Sequence, residues 1–173
     1  EKEVCQLGIL GQNTLLETKV LDPQQFGGLE EVMPLGFGRC RLSLAVPNDL
    51  PYDGVHSLAG LTIATSYRGL LSAFLAEQGV NASIVTMEGA VEVAPRTHLA
   101  DAICDLVSTG NTLISNGLRE EDIILQSQAV IVRNSDMDTE SAGLCDKLLA
   151  RITAVLRAEN SRYIMLNLSL IHI

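Results

Sequence analysis

Ala100-Asp101-Ala102-Ile103-Cys104-Asp105-Leu106-Val107-Ser108-Thr109-Gly110-Asn111-Thr112-Leu113 decides how the rest of the chain is read. Residues 102–107 are apolar except for Asp105 and read as a buried parallel strand. The strand passes without a spacer into Ser-Thr-Gly-Asn-Thr and a short helical pattern closed by Asn116-Gly117. A strand, a Ser/Thr/Gly turn and a helix start together suit an anion. The first helical turn has unpaired N–H groups and a partial positive charge, and the turn adds hydroxyl donors from Ser108, Thr109 and Thr112. Gly110 lets the backbone approach the anion. Asp105 lies near the carboxyl end of the strand, where open α/β sheets place their ligands, and can face a sugar hydroxyl or a metal ion. The same residues also fit a plain helix cap by Ser108 or Thr109, which is the commoner use of such a sequence.

Outward from this stretch, strand and helix patterns alternate. Towards the amino end, residues 61–65 and 83–87 read as strands and 91–99 as a short helix containing Pro95. Residues 67–78 read as a helix with Leu70, Leu71, Phe74 and Leu75 on one face and Gly79 as its stop. Residues 6–11, 30–35 and 40–46 read as earlier strands, with Asn13 capping a short helix and 21–29 as turn and loop. Towards the carboxyl end, 123–126 and 129–133 read as strands. Residues 139–159 form the longest helix, capped by Thr139 and striped by Leu144, Leu148, Leu149, Ile152, Val155 and Leu156. Residues 163–166 read as a last strand. The alternation predicts an α/β protein with a parallel or mixed sheet. Residues 168–173 read as the translation of a sequencing-library adapter, with an ordinary apolar terminal strand as the alternative.

Composition narrows the function. The 173 residues are 47% hydrophobic, enough for a packed core. Aromatics make up 3%, Trp is absent and the net charge is -9. A stacking platform for single strands and a phosphate-backbone binder are therefore both disfavoured, and no nucleic-acid partner is expected. Cys5, Cys40, Cys104 and Cys145 are widely spaced and form no Cys-x-x-Cys pair, which favours reduced thiols and a cytoplasmic setting. No apolar run within these residues approaches a membrane span, and no membrane partner is expected.

Several stretches, in this order and spacing, resemble the ATP phosphoribosyltransferase family. They are Leu7-Gly8-Ile9-Leu10-Gly11, Phe37-Gly38-Arg39-Cys40-Arg41-Leu42, Ala64-Thr65-Ser66-Tyr67, Gly89-Ala90-Val91-Glu92-Val93-Ala94-Pro95, Leu99-Ala100-Asp101-Ala102-Ile103, Asp105-Leu106-Val107-Ser108-Thr109-Gly110 with Thr112-Leu113, and Tyr163-Ile164-Met165-Leu166. The resemblance implies a two-lobed fold like the type II periplasmic binding proteins, with an incomplete first lobe. Residues 1–47 and 128–166 would form lobe I, and 48–127 lobe II with the phosphoribosyl pyrophosphate site. It also implies transfer of phosphoribosyl from 5-phosphoribosyl 1-pyrophosphate to ATP, the first step of L-histidine biosynthesis. Mg²⁺ would be carried mostly by pyrophosphate oxygens with no direct protein ligation, and the full-length protein would be a homo-oligomer.

By the same resemblance, Ser108, Thr109, Gly110, Asn111 and Thr112 would hold the 5′-phosphate and Asp105 the ribose hydroxyls. Glu92 and Asp101 would meet sugar or Mg²⁺, although both also fit surface or capping charges. Thr65, Ser66 and Tyr67 would meet pyrophosphate or nucleotide, with a plain helix cap as the other reading. Arg41 would neutralise phosphate or form a structural ion pair. Four positions depart from the family pattern: Gln6 for Asp, Gln12 for an acid or Lys, Arg68 for Pro, and His98 for Gly. The family's opening strand would precede Glu1, and the long form's histidine-binding ACT-like domain would follow Tyr163-Ile164-Met165. The chain is therefore expected to be a poorly active fragment with an exposed apolar edge. A non-catalytic small-anion-binding module of the same two-lobed fold is the alternative. Other phosphoribosyltransferases fit less well, because no adjacent acidic pair precedes the Ser-Thr-Gly turn.

Overall fold

The structure, a computed structural model, describes residues 5–159. Leu7–Ser135 form one compact unit, and of the other described residues 5–6 and 136–159 belong to a second. In chain order the first unit runs β1 (Leu7–Gly11), α1 (Gln12–Leu21), α2 (Pro23–Phe26), β2 (Leu29–Pro34), β3 (Cys40–Pro47), a 3₁₀ turn (Val55–Leu58), β4 (Thr62–Thr65), α3 (Arg68–Glu77) and β5 (Ser83–Thr86). A second 3₁₀ turn (Val91–Val93), β6 (Ala102–Val107), α4 (Asn111–Ser115), β7 (Leu118–Ser127) and β8 (Ala129–Asn134) complete it.

These strands form two sheets, one ordered β1-β8-β2 and the other β5-β4-β6-β3-β7. The larger is mixed: β6 runs parallel to β4 and antiparallel to β3. Both of its faces are covered, and the period-two alternation of each strand assigns its residues to a face. Leu42, Leu44 and Val46 of β3, Ile63 of β4 and Cys104 of β6 pack with Leu71 and Leu75 of α3. Ala45, Ala64, Ile103 and Val107 pack with Val91, Ala94 and Leu113 on the other face. Asp105, two residues from both Ile103 and Val107, shares this second face, below the Val91–Val93 turn and α4.

The chain passes between sheets twice, and the two crossings are hydrogen-bonded to each other. Leu35 N donates to Ala129 O and Ala129 N to Phe37 O, each at 2.9 Å. The expected lobe boundary after residue 47 is corrected by the strand pairing. Residues 40–47 lie between β6 and β7 in the five-stranded sheet, because Leu42, Leu44 and Ala45 make β3 apolar on both faces.

Several local expectations also change. Asn13 lies inside α1, and Gly11 occupies the cap position without a side-chain bond. The 91–99 helix reduces to the Val91–Val93 turn. Residues 21–29 contain α2, whose first residue is Pro23 and whose cap is Asp22, accepting from Gln25 N. β7 starts at Leu118, five residues before the expected strand, because its partner β3 extends to Pro47.

In the second unit, α5 (Thr139–Glu159) keeps the bounds read from the sequence. Its cap is Asp138, whose carboxylate accepts from Ser141 N and Oγ, in place of Thr139. The expected strand at 163–166 and the tail at 168–173 lie outside the described residues.

Candidate functional site

At the carboxyl end of β6 the chain turns through Ser108 and Thr109 to Gly110, which caps α4 with φ +82°. A Cβ on Gly110 would meet only Val107 Cγ1, at 3.9 Å. Room is therefore available, and what requires glycine is the left-handed backbone. Ser108, Thr109, Asn111 and Thr112 are exposed. Among the described residues, neither the Ser108 nor the Thr112 hydroxyl bonds to protein, and α4's first-turn N–H groups have no intrahelical acceptor.

A cavity of about 160 Å³ opens beside this turn, lined by Glu92, Asp105, Ser108, Thr109, Gly110 and Thr112 among others. The structure thus brings together five of the six residues expected to hold sugar phosphate, with Glu92 from the neighbouring 3₁₀ turn. Asn111 lies outside the cavity lining, its N–H directed 3.5 Å to Thr109 Oγ1. Burial raises the Asp105 carboxyl above the usual range; the Leu106 N–H opposes this shift, and the nearby Glu92 charge adds to it. Two carboxylates facing one cavity favour a cation, a hydroxyl donor or a carbon that gains positive charge.

Arg41 is committed to protein. Its Nε and Nη2 donate to the two oxygens of Glu120 at 2.5 Å each, and Nη1 donates to Ser108 O at 3.1 Å. Ser43 Oγ donates to the same carboxylate at 2.7 Å. Arg41 therefore ties the backbone of the turn to Glu120 through an ion pair.

The parallel neighbour β4 ends in the second turn, and its side chains bond inward. Thr65 is fully buried and accepts from Tyr67 N at 2.9 Å, while Ser66 Oγ donates to Met87 O at 2.7 Å. Two first-turn N–H groups of α3, those of Gly69 and Leu70, donate to the two Glu17 oxygens at 2.7 and 2.8 Å. Tyr67 Oη accepts from Asn13 Nδ2 at 2.8 Å. Burial pushes the Tyr67 hydroxyl up, the Asn13 bond opposes this and the Asp105 charge adds to it. Tyr67 follows Thr65, whose Cα pairs in register with that of Cys104, the residue before Asp105.

Asp101 stands apart. It precedes β6, and its Oδ2 accepts from Thr62 N at 2.8 Å. It lines a different cavity of about 630 Å³, with Pro47, Arg96, His98 and Leu118, at the opposite edge of the sheet. The six residues of β6, at about 3.3 Å each, separate it from the Ser-Thr-Gly turn by roughly 20 Å. His98 has φ +58°, the left-handed geometry that the family's usual glycine adopts without strain. Sequence reading missed Glu120 and Glu17 as site elements. Their bonds to Arg41 and Gly69 join residues 79 and 52 positions apart, a separation no local pattern signals.

Two sheets joined by paired crossings, with a cavity at a strand's carboxyl end, define an α/β protein of the type II periplasmic-binding-protein-like class. The fold is similar to that of an E. coli periplasmic aliphatic sulphonate binding protein, with TM-score 0.57, 15% identity, and coverage of 90% of this chain and 57% of that one. It is more similar to an ATP phosphoribosyl transferase (HisG:HisZ) complex from Thermotoga maritima, with TM-score 0.75, 24% identity, and coverage of 90% and 72%. The family model for ATP phosphoribosyltransferase matches residues 1–154. An ATP phosphoribosyltransferase from Cytophaga hutchinsonii is 44% identical over 164 residues, 95% of this chain. The chain belongs to the ATP phosphoribosyltransferase family, and it spans about half the length of the curated relatives it matches (55% and 56%).

Proposed function

We propose that the chain carries the sugar-phosphate half of an ATP phosphoribosyltransferase. Adenine N1 of ATP forms a bond to ribose C1 of phosphoribosyl pyrophosphate as the C1–oxygen bond to pyrophosphate breaks, giving phosphoribosyl-ATP. The observation that carries this reading is the turn from Ser108 to Thr112, whose Ser108 and Thr112 hydroxyls bond to no described protein group, beside a cavity that also holds Asp105 and Glu92. Ser108, Thr109, Gly110 and Thr112 bind the 5′-phosphate, with Asn111 at the start of α4 contributing its N–H. Asp105 accepts from the ribose hydroxyls.

As the leaving group departs, C1 gains positive charge. Glu92 and Asp105 stabilise it through a field already in place, so alignment and electrostatics supply the catalysis. Mg²⁺ offsets the charge of the leaving pyrophosphate. Its ligands would come mostly from pyrophosphate oxygens and water, with no direct protein ligation. Arg41 and Glu120 hold the turn in shape. The same reading carries a cytoplasmic setting and a homo-oligomeric full-length protein. Among the described residues, no helix is long and apolar enough to cross a membrane.

The test is a thermal shift of the chain with phosphoribosyl pyrophosphate, with and without Mg²⁺, against the Thr112→Ala/Asp105→Asn double variant. Ligand that binds only the folded state raises the midpoint. A Mg²⁺-dependent rise lost in the variant supports the reading. An equal rise with inorganic phosphate alone favours the non-catalytic anion module.

A further inference from the structure

α1 begins directly after β1 of the three-stranded sheet, yet two of its polar residues, Asn13 and Glu17, bond into the five-stranded layer. Asn13 and Glu17 are 5% and 8% exposed, and each bonds into the segment that follows β4. Glu17 places both carboxylate oxygens on the first-turn amides of α3. Gly69 admits it closely, since a Cβ there would stand 3.1 and 3.2 Å from those oxygens. Asn13 accepts from Ser127 Oγ at 2.7 Å, just before the chain crosses back between sheets, and donates to Tyr67 Oη. The amino end of α3 is thus already supplied with an anion by the protein. The positive ends of both strand-to-helix turns face the same edge of the sheet, and only the α4 turn remains open to a ligand.

We propose that Asn13 and Glu17 are positioning residues for the sugar end of the substrate: they hold Tyr67 and the first turn of α3 in place beside Asp105. The inference rests on the phosphoribosyl pyrophosphate reading above. The two residues touch no ligand themselves. Their effect passes through the Tyr67 ring and the α3 amides, so it falls on recognition of the ribose and leaves phosphate capture by the Ser108–Gly110 turn unchanged.

The test measures Glu17→Gln and Asn13→Ala in the full 173-residue chain. Amide hydrogen exchange is read at Gly69 and Leu70, and calorimetric affinity is measured for Mg²⁺–phosphoribosyl pyrophosphate and for inorganic phosphate. Charge-assisted bonds to backbone amides contribute strongly, so Glu17→Gln should speed exchange at both amides by about tenfold or more. Either variant should weaken phosphoribosyl pyrophosphate by about tenfold while phosphate affinity stays within about twofold. If Glu17→Gln fails to fold, Asn13→Ala alone decides, since alanine suits the helix and the ligand comparison is unchanged. Equal weakening of both ligands, or no weakening of either, overturns the positioning role. A wild-type chain that binds neither ligand overturns the reading of the site itself, and the exchange data still report whether Glu17 holds α3.

Discussion

Arg41 grips Glu120 through both carboxylate oxygens at 2.5 Å and turns its remaining amine onto the Ser108 carbonyl. The pair spans β3 and β7 and ends on the turn that faces the cavity. The Arg41 bonds hold the Glu120 carboxyl below its usual range, helped by Ser43 and opposed by partial burial. A lowered folded-state value means that the stabilisation is present above the ordinary carboxylate range and fades as pH falls through the lowered value. Arg41→Lys removes the fork that reaches both Glu120 and Ser108. It should weaken phosphoribosyl pyrophosphate binding by about tenfold with the fold intact, as read by calorimetry and circular dichroism.

Asp105 shows the opposite sign. Burial, with Glu92 adding to it, raises its folded-state value, so its contribution to stability is present below the ordinary carboxylate range and lost as pH rises through the raised value. At neutral pH its charge is a liability to the ligand-free fold. Asp105→Asn should raise the thermal midpoint at neutral pH, lose that gain in acid, and abolish Mg²⁺-dependent ligand binding. A midpoint lowered at neutral pH would contradict this account.

How far the sequence carried these conclusions differs by element. β6, the Ser-Thr-Gly turn and α4 were legible because their signals are local: an apolar run, then a glycine at the position where φ is positive. α5 was legible at both ends for a similar reason, a long apolar period with acidic and Ser/Thr residues at its start. The first half of β7 was not, because Arg119, Glu120 and Glu121 look like surface charge. Pairing with β3 makes them a strand, and Arg119 then donates to Pro47 O and Leu50 O. Asp101 and Asp105 face different cavities for a geometric reason: Asp101 precedes β6, Asp105 lies within it towards its carboxyl end, and closeness in sequence does not reveal this.

His98 offers a test independent of function. Its φ of +58° costs a non-glycine residue about 1–2 kcal/mol, partly offset by the greater unfolded-state freedom of glycine. His98→Gly should therefore stabilise the chain by up to about 1 kcal/mol in denaturant unfolding and leave ligand binding unchanged. Gly110→Ala, at φ +82°, should do the reverse and destabilise by about 1–2 kcal/mol.

Cysteine reactivity should separate buried from exposed thiols. Burial pushes the Cys104 thiol up to about 12, while Cys5 is exposed. An alkylating reagent at neutral pH should label Cys5 readily and Cys104 only after denaturation. Mass spectrometry of the labelled chain checks this.

The most direct measurement is an amide chemical-shift map of the isotope-labelled chain titrated with Mg²⁺–phosphoribosyl pyrophosphate. The account predicts that perturbations gather on Glu92, Asp105 and Ser108 to Thr112, with smaller shifts at Tyr67. Perturbations centred on Arg96, His98 and Asp101, around the larger cavity at the far edge of the sheet, would contradict it.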